Sequence, residues 1–187
     1  MTSPRHIPSA KTILLGVSGS IAAYKAAEIA SLLRKAGHDV HAVMSRRAID
    51  FITPLTMATL TRNPVLCDLS EEKEGGWKPG HIELADRADL LLIAPASASC
   101  LARLACGFAD DALGAVALAT RAPVLIAPAM NGNMWKHPAT VENTERLRRR
   151  GNEFIGPVEG MLACGYEGTG RLAEVADIVE KSCRMIA

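Results

Sequence analysis

TILLGVSGSIA, residues 12–22, decides the fold prediction, because a short apolar run is followed at once by small turn-forming residues. The run at residues 12–17 has the composition of a buried strand, and Ile29, Leu32 and Leu33 show the spacing of an amphipathic helix. Gly37 stands where a glycine commonly ends a helix. The segment therefore predicts a strand, a tight turn and a helix that ends near residue 36.

The same alternation continues along the chain. Apolar runs predict further strands at residues 40–44, 65–69, 90–94, 124–127 and 153–155. Helices are predicted at residues 46–60 with a break at Pro54, 81–87, 98–119 with an interruption near Gly107, 140–150 and 173–185. Strands that alternate with helices imply βαβ units with right-handed crossovers. We expect a single α/β domain over residues 1–187, doubly wound and Rossmann-like or flavodoxin-like, whose mostly parallel sheet carries helices on both faces.

Three segments are predicted to be irregular. Residues 1–10 are expected to be disordered, and the polar, glycine-containing residues 70–80 to form a mobile loop. Residues 157–172 hold several glycines around Cys164, which argues against regular structure. We expect this last segment to be a mobile, hinged flap that presents Cys164.

Composition narrows the class of partner. The 187 residues include 21 basic and 20 acidic side chains, a net charge of +1, so no overall field favours nucleic acid or an anionic membrane. A small molecule is the expected partner. There is no signal-like segment, no apolar run of about 18 residues, and no disulfide-like spacing. We therefore expect a cytoplasmic protein with free thiols at Cys67, Cys100, Cys106, Cys164 and Cys183.

Ligands of parallel α/β sheets bind beyond the carboxyl ends of the strands. This rule selects residues 18–21, Ser45, residues 95–100 and residues 128–134. The first turn could direct backbone N–H groups at a phosphate, or could simply be a tight turn with close helix packing. The spacing of this turn is not the G-x-G-x-x-G of dinucleotide-binding proteins. Arg46 and Arg47 could nevertheless bind a 2′-phosphate, so an NADP reductase is one alternative.

Two further segments are candidates for chemistry. Histidine is the side chain best suited in general to carry protons near neutral pH, so His81 could do so, although a histidine there is also typical of a helix start or a surface. The box PAMNGNMW, residues 128–135, places methionines, a tryptophan and asparagines after a buried strand. It predicts an apolar wall with polar groups, or else a Met/Trp cluster that plugs the core.

Five motifs together resemble the family of homo-oligomeric flavin-containing cysteine decarboxylases. They are, in chain order, GSIAAYK (19–25), HIEL (81–84), PASA with GFADD (95–98, 107–111), PAMNGNMW (128–135), and ACG with GTGR (163–165, 168–171). The motifs keep the family's order and spacing over nearly the whole chain. The box P-x-M-N-x-x-M-W is the most specific of them.

The resemblance implies FMN as the cofactor and a decarboxylase that acts on a small cysteine-containing molecule. It implies FMN contacts at Ser18, Gly19, Ser20, Ile21, Ser45, Ser97, Ala98, Ser99, Cys100, Asp110 and Ala129. It also implies that His81 is the base, that Asn131 binds the substrate carboxylate and that Cys164 donates a proton, with no metal required. Further substrate contacts would come from Met130, Met134, Ala163 and Arg171.

The resemblance further implies a homo-oligomer, a trimer or a dodecamer of trimers, with FMN between subunits. Three alternatives share the architecture. They are a flavin-dependent cysteine decarboxylase with another substrate, a flavin prenyltransferase, and a non-catalytic flavoprotein that acts as a regulatory subunit.

Overall fold

The computed structural model describes residues 10–69 and 79–187. Its strands are β1 (Thr12–Val17), β2 (Asp39–Met44), β3 (Leu90–Ala96), β4 (Val124–Pro128), β5 (Glu153–Phe154), β6 (Val158–Met161) and β7 (Glu167–Arg171). The first five form one parallel sheet in the order β2-β1-β3-β4-β5. β6 and β7 form a separate antiparallel hairpin. The order reverses between β1 and β3, which is where such sheets bind ligands.

Helices connect the parallel strands. They are α1 (Lys25–Lys35), α2 (Pro54–Thr61), α3 (Gly80–Arg87), α4 (Ala98–Cys106), α5 (Ala112–Ala119), α6 (Gly132–Lys136), α7 (Pro138–Arg149) and α8 (Val175–Met185). A short 3-10 turn, Ile21–Tyr24, leads from the end of β1 into α1. The helix predicted to end near residue 36 is therefore present, but it begins with a 3-10 turn, which is tighter than an α-helical turn.

Two apolar clusters cover the two faces of the sheet. On β1, Ile13 and Leu15 join the cluster formed with α1, α2 and α8, while Leu14 joins the cluster formed with α4, α5 and α7. Alternate residues of a strand point to opposite faces, so β1 to β4 each contribute to both clusters. All seven residues of β3 are buried, as expected for a central strand covered on both sides. The doubly wound α/β fold is confirmed.

Two predicted boundaries are wrong. Residues 46–53 form turns, and the helix begins only at Pro54, because the Thr53 hydroxyl accepts the Thr56 N–H at 3.2 Å and caps it. Residues 65–69 do not form a strand, since only one bridge, from Val43 to Leu66, extends the sheet there. Met44 N–H and Leu66 N–H make the two hydrogen bonds of that bridge, after which the chain leaves the sheet.

The glycine-rich flap is also regular, contrary to the sequence expectation, since residues 158–161 and 167–171 pair as β6 and β7. The hairpin rests directly on the box after β4, where the Met130 N–H donates to the Gly170 carbonyl at 2.9 Å. A Cβ on Gly170 would lie 2.2 Å from the Met130 carbonyl oxygen. These glycines therefore permit a close backbone approach. Sequence periodicity does not reveal such an approach.

Several expectations concern residues beyond this description. Residues 1–9 and 70–78, where disorder and a mobile loop were predicted, lie outside the described residues. None of the helices in the described ranges combines the length and hydrophobicity that crossing a membrane requires.

Candidate active site

Two adjoining cavities open at the carboxyl ends of β1 to β4. The polar cavity, about 420 Å³, is lined by Ser18, Gly19, Ser45, Arg46, Arg47, Phe51, Ser97, Ser99, Cys100, Arg103, Leu104, Asp110, Asp111, Leu113 and Gly114. The apolar cavity, about 710 Å³, is lined by residues of the first turn, the α4 start, the PAMNGNMW box and the β6–β7 hairpin. Gly19 and Ser97 line both, so the cavities form one continuous depression.

All eleven residues expected to contact a cofactor line one cavity or the other. This agreement follows from the topology, because the turns after parallel strands meet at one edge of the sheet. At Gly19 the backbone passes so close to Arg47 that a Cβ would lie 2.6 Å from the Cβ of that arginine. Glycine is thus required where the first turn crosses the loop after β2.

Ser18 ties the ends of β1 and β3 together. Both its N–H and its hydroxyl donate to the Pro95 carbonyl, at 3.2 and 2.8 Å, and its hydroxyl oxygen accepts the Ser97 N–H at 2.8 Å. The side chain is buried. Because both donors of Ser18 are committed within the protein, this residue shapes the cavity and has no donor left for a phosphate.

Ser20 has a similar role two residues later. Its hydroxyl accepts the Ala22 N–H and donates to the Ala129 carbonyl, both at 3.3 Å. The start of the 3-10 turn is thereby fixed to the end of β4. Ile21 and Met130, which follow the two joined residues, both line the apolar cavity.

Two helix starts face the polar cavity. The Ser97 hydroxyl caps α4 by accepting the Cys100 N–H at 3.3 Å, and the Asp111 carboxylate caps α5 by accepting the Gly114 N–H at 2.7 Å. The remaining N–H groups of a first helical turn have no partner within their own helix. At α4 a phosphate or another anion can accept hydrogen bonds from these N–H groups, and the hydroxyl of Ser99 is a further donor there.

Three arginines surround the polar cavity, and each has an acidic partner. Arg103 pairs with Asp110, Arg46 with Asp68 at 2.7 Å, and Arg47 with Asp50 at 3.0 Å. The hydrogen bond from Arg103 holds the pKa of Asp110 below its ordinary value. These partners leave little uncompensated charge. Arg103 and Asp111 were not among the predicted site residues. Arg103 lies within α4, and Asp111 directly precedes α5.

The two cysteines of the site differ sharply. Cys100 is buried in α4, and burial raises the pKa of its thiol to about 12, so it remains protonated and unreactive. Cys164 is exposed at the tip of the hairpin. Only Cys164 is available to a molecule in the apolar cavity.

Asn131 is the polar centre of the apolar cavity. Its Oδ1 accepts the Asn133 N–H at 2.8 Å and the Tyr166 hydroxyl at 3.0 Å, and its Nδ2 donates to the Sγ of Cys164 at 3.3 Å. The structure therefore brings together two of the three predicted catalytic residues. Tyr166 was not predicted. The only sequence signal for it was an aromatic side chain two residues after the cysteine in a glycine-rich turn.

The predicted substrate contacts surround this centre. Met130, Met134 and Ala163 line the apolar cavity. Arg171 lines it too, and its guanidinium pairs with Glu174 at 2.6 Å. Lys25, which ends the GSIAAYK motif but was not among the predicted site residues, also contributes to the wall.

His81 lies apart from this group. It occupies the second position of α3, which packs against α5, and it lines neither cavity of the single chain. The helix α3 leads into β3 and runs antiparallel to it. The first turn of α3 therefore lies toward the carboxyl edge of the sheet. The described residues of one chain thus assemble Asn131 and Cys164 without the predicted base.

Comparison with known proteins agrees with this geometry. The profile of the Flavoprotein family matches residues 1–187. The chain belongs to the flavoprotein family. The probable phosphopantothenoylcysteine decarboxylase of Streptococcus mutans is 46% identical over 173 residues, 91% of this chain and 96% of that protein. The coenzyme A biosynthesis bifunctional protein CoaBC of Vibrio vulnificus is 47% identical over 169 residues, 90% of this chain. This flavoprotein spans only 42% of that bifunctional relative.

Solved structures give the same family. A mutant of PPC decarboxylase complexed with pantothenoylaminoethenethiol has a TM-score of 0.84 and 31% identity, over 94% of this flavoprotein and 97% of that chain. The FMN-dependent cysteine decarboxylase SpaF has a TM-score of 0.82 and 32% identity, over 97% and 99%. The resemblance drawn from the five motifs is confirmed at the level of the family.

Proposed function

We propose that this flavoprotein is an FMN-dependent carboxy-lyase that converts 4′-phosphopantothenoylcysteine to 4′-phosphopantetheine in coenzyme A biosynthesis. The observation that carries the proposal is the contact between Asn131 and Cys164 across the apolar cavity, next to a polar cavity at the strand ends. The names of the relatives from Streptococcus mutans and Vibrio vulnificus support it.

The cavities suit FMN in size and chemistry. The α4 start, with Ser97 and Ser99, offers N–H and hydroxyl donors to a phosphate, and Ser45 lines the same cavity. Gly19 lets the first turn pass close to Arg47, and the small side chains of Ala98 and Ala129 leave room in the apolar cavity for a flat ring system. FMN would therefore be held by the first turn, the loop after β2, the α4 start and the end of β4.

The chemistry explains why a flavin is needed. A cysteine amide carboxylate has no adjacent group to accept the electrons that CO2 leaves behind, unless a C=S group is generated β to it. When bound, FMN supplies the reversible two-electron oxidation of the CH2–SH carbon. The Nδ2 group of Asn131 would bind the carboxylate and orient its bond to the α-carbon for cleavage.

Proton transfers fall to two side chains. His81 accepts the proton that the substrate thiol loses. After CO2 has left, Cys164 would donate its Sγ proton to the α-carbon, and bound FMN would supply the hydride for the carbon that carries sulfur. His81 would return its proton to that sulfur, which leaves the saturated thiol and a Cys164 thiolate that solvent reprotonates. A solved PPC decarboxylase mutant that holds an aminoethenethiol supports a division of the reaction into these two halves.

We propose that His81 reaches the site from a neighbouring copy of the chain, in a trimer or a dodecamer of trimers with FMN at the subunit interface. The position of His81 outside both cavities supports this arrangement. Mixing His81→Asn and Cys164→Ser subunits tests it, since a shared site restores some of the activity in mixed oligomers. Restoration should be absent if each subunit uses its own histidine. A cytoplasmic location, in keeping with the free cysteines, completes the proposal.

Product analysis tests the function directly. Purified protein with added FMN should convert phosphopantothenoylcysteine into a product lighter by one CO2, detected by mass spectrometry. A product lighter by two further hydrogens would instead indicate a decarboxylase that stops at the enethiol. Turnover of dimethylallyl phosphate would indicate a flavin prenyltransferase, and no turnover of either compound a regulatory flavoprotein.

A further inference from the structure

The turn that carries Cys164, residues 162–166, is closed by two backbone hydrogen bonds of 2.9 Å. The Leu162 N–H donates to the Tyr166 carbonyl, and the Gly165 N–H donates to the Leu162 carbonyl. This turn joins β6 to β7 and is named the cysteine turn below. Two of its side chains, those of Cys164 and Tyr166, contact the same carboxamide of Asn131.

The orientation of that carboxamide is determined by its partners. The Asn133 N–H can only donate, so the atom it meets at 2.8 Å must be the Oδ1 of Asn131. The Tyr166 hydroxyl donates to the same oxygen at 3.0 Å. The Nδ2 group is thereby directed at Cys164, whose sulfur accepts the hydrogen bond and keeps its own proton free.

Glycines accommodate the tyrosine ring. A Cβ on Gly168 would lie 3.2 Å from the Tyr166 ring, and a Cβ on Gly132 would lie 3.3 Å from its hydroxyl oxygen. The ring thus packs across the hairpin onto the start of α6. A phenylalanine would keep this packing and lose only the hydroxyl contact with Asn131.

We infer that Tyr166 is a positioning residue, whose hydroxyl orients the Asn131 carboxamide and holds the cysteine turn over the apolar cavity. The inference rests on the proposed function and extends it to a residue outside the predicted site. Asn131 keeps its bond from Asn133 when the Tyr166 hydroxyl is removed, so binding of the carboxylate is largely preserved. Cys164 loses one of the two side-chain contacts that hold its turn, so proton donation suffers more than CO2 release.

Tyr166→Phe tests the inference, with Thr169→Val as the matched control. Thr169 lies on the same hairpin, but its hydroxyl donates to Glu159 and not to Asn131. The readouts are CO2 release, KM, FMN affinity and the ratio of saturated product to the product two hydrogens poorer. For Tyr166→Phe we expect that ratio to fall about two- to tenfold, the effect of losing one hydrogen bond, with FMN affinity and KM nearly unchanged. Thr169→Val should match the wild type.

Three results would overturn the inference. They are an unchanged product ratio in Tyr166→Phe, an equal fall in Thr169→Val, and loss of the fold or of FMN binding in Tyr166→Phe, which would make the hydroxyl a support of the fold. A wild-type protein that releases no CO2 would instead contradict the proposed function. The two failures are therefore distinguishable.

Discussion

Asn131 and Cys164, 33 residues apart in sequence, meet through a hydrogen bond of 3.3 Å from Nδ2 to Sγ. The contact joins the end of the parallel sheet to the antiparallel hairpin above it. The proposed carboxylate-binding group is thereby placed beside the proposed proton donor. Substitutions at these and other residues separate their roles.

Cys164→Ser should separate the two halves of the reaction. The serine hydroxyl is a far weaker acid than a thiol, so we expect continued CO2 release with accumulation of a product two hydrogens poorer. Mass spectrometry of the product checks this. Cys106→Ser, at the exposed cysteine that lines neither cavity, should give the saturated product. A Cys164→Ser enzyme that yields only the saturated amine would show that another group donates the proton.

His81→Asn should abolish turnover while FMN remains bound. Loss of a general base commonly lowers the rate by ~10²–10⁴-fold, and the proposed flavin contacts involve other residues. Steady-state CO2 release and a flavin absorbance scan of the same sample measure the two effects. His137→Asn is the matched control, because His137 caps α7 and asparagine is also a good cap. Near wild-type turnover in His81→Asn would remove this residue from the mechanism.

Ser18→Ala should destabilise the fold. The change leaves the part-buried Ser97 N–H without its acceptor and removes one of the two donors to the Pro95 carbonyl. We expect a loss of about 1–3 kcal/mol in the free energy of unfolding, the cost of leaving a desolvated polar group unpaired. Denaturant titration measures it. An unaffected stability would contradict the idea that this hydroxyl joins β1 to β3.

Asp39→Asn should make the free energy of unfolding depend less on pH in the acid range. Partial burial acts to raise the pKa of Asp39, but hydrogen bonds from Asn63 and His41 and the charge of Arg87 outweigh it and lower that pKa. A carboxyl whose pKa is lowered by folding stabilises the protein above its unfolded value near ~3.9, and the effect disappears as pH falls through the folded value.

The variant should therefore be less stable than the wild type at pH 7, by about 1 kcal/mol, the scale of one hydrogen bond. The two proteins should converge at acid pH. Unfolding curves recorded from neutral to acid pH check the prediction. Asp50→Asn, which breaks an exposed ion pair with Arg47, should change stability little at any pH. A constant gap between Asp39→Asn and wild type across the titration would contradict the assigned pKa.

The sequence predicted most of the sheet, because buried parallel strands such as residues 90–94 carry an unmistakable apolar run. It also predicted the edge where the ligand segments meet, since that follows from topology. It did not predict β6 and β7, in which Gly170 allows the hairpin to approach the backbone of Met130 closely. The Tyr166 contact with Asn131 was equally hidden, because it depends on where the hairpin lies in space.

Carbon dioxide release measured against bound FMN tests the central claim most directly. Flavin-free protein is titrated with FMN, and CO2 release from phosphopantothenoylcysteine is followed at each point. The proposed chemistry predicts no release without flavin, release that rises in proportion to bound FMN, and saturation at one FMN per chain. Protein that binds no FMN, or that releases CO2 equally well without it, would contradict the account.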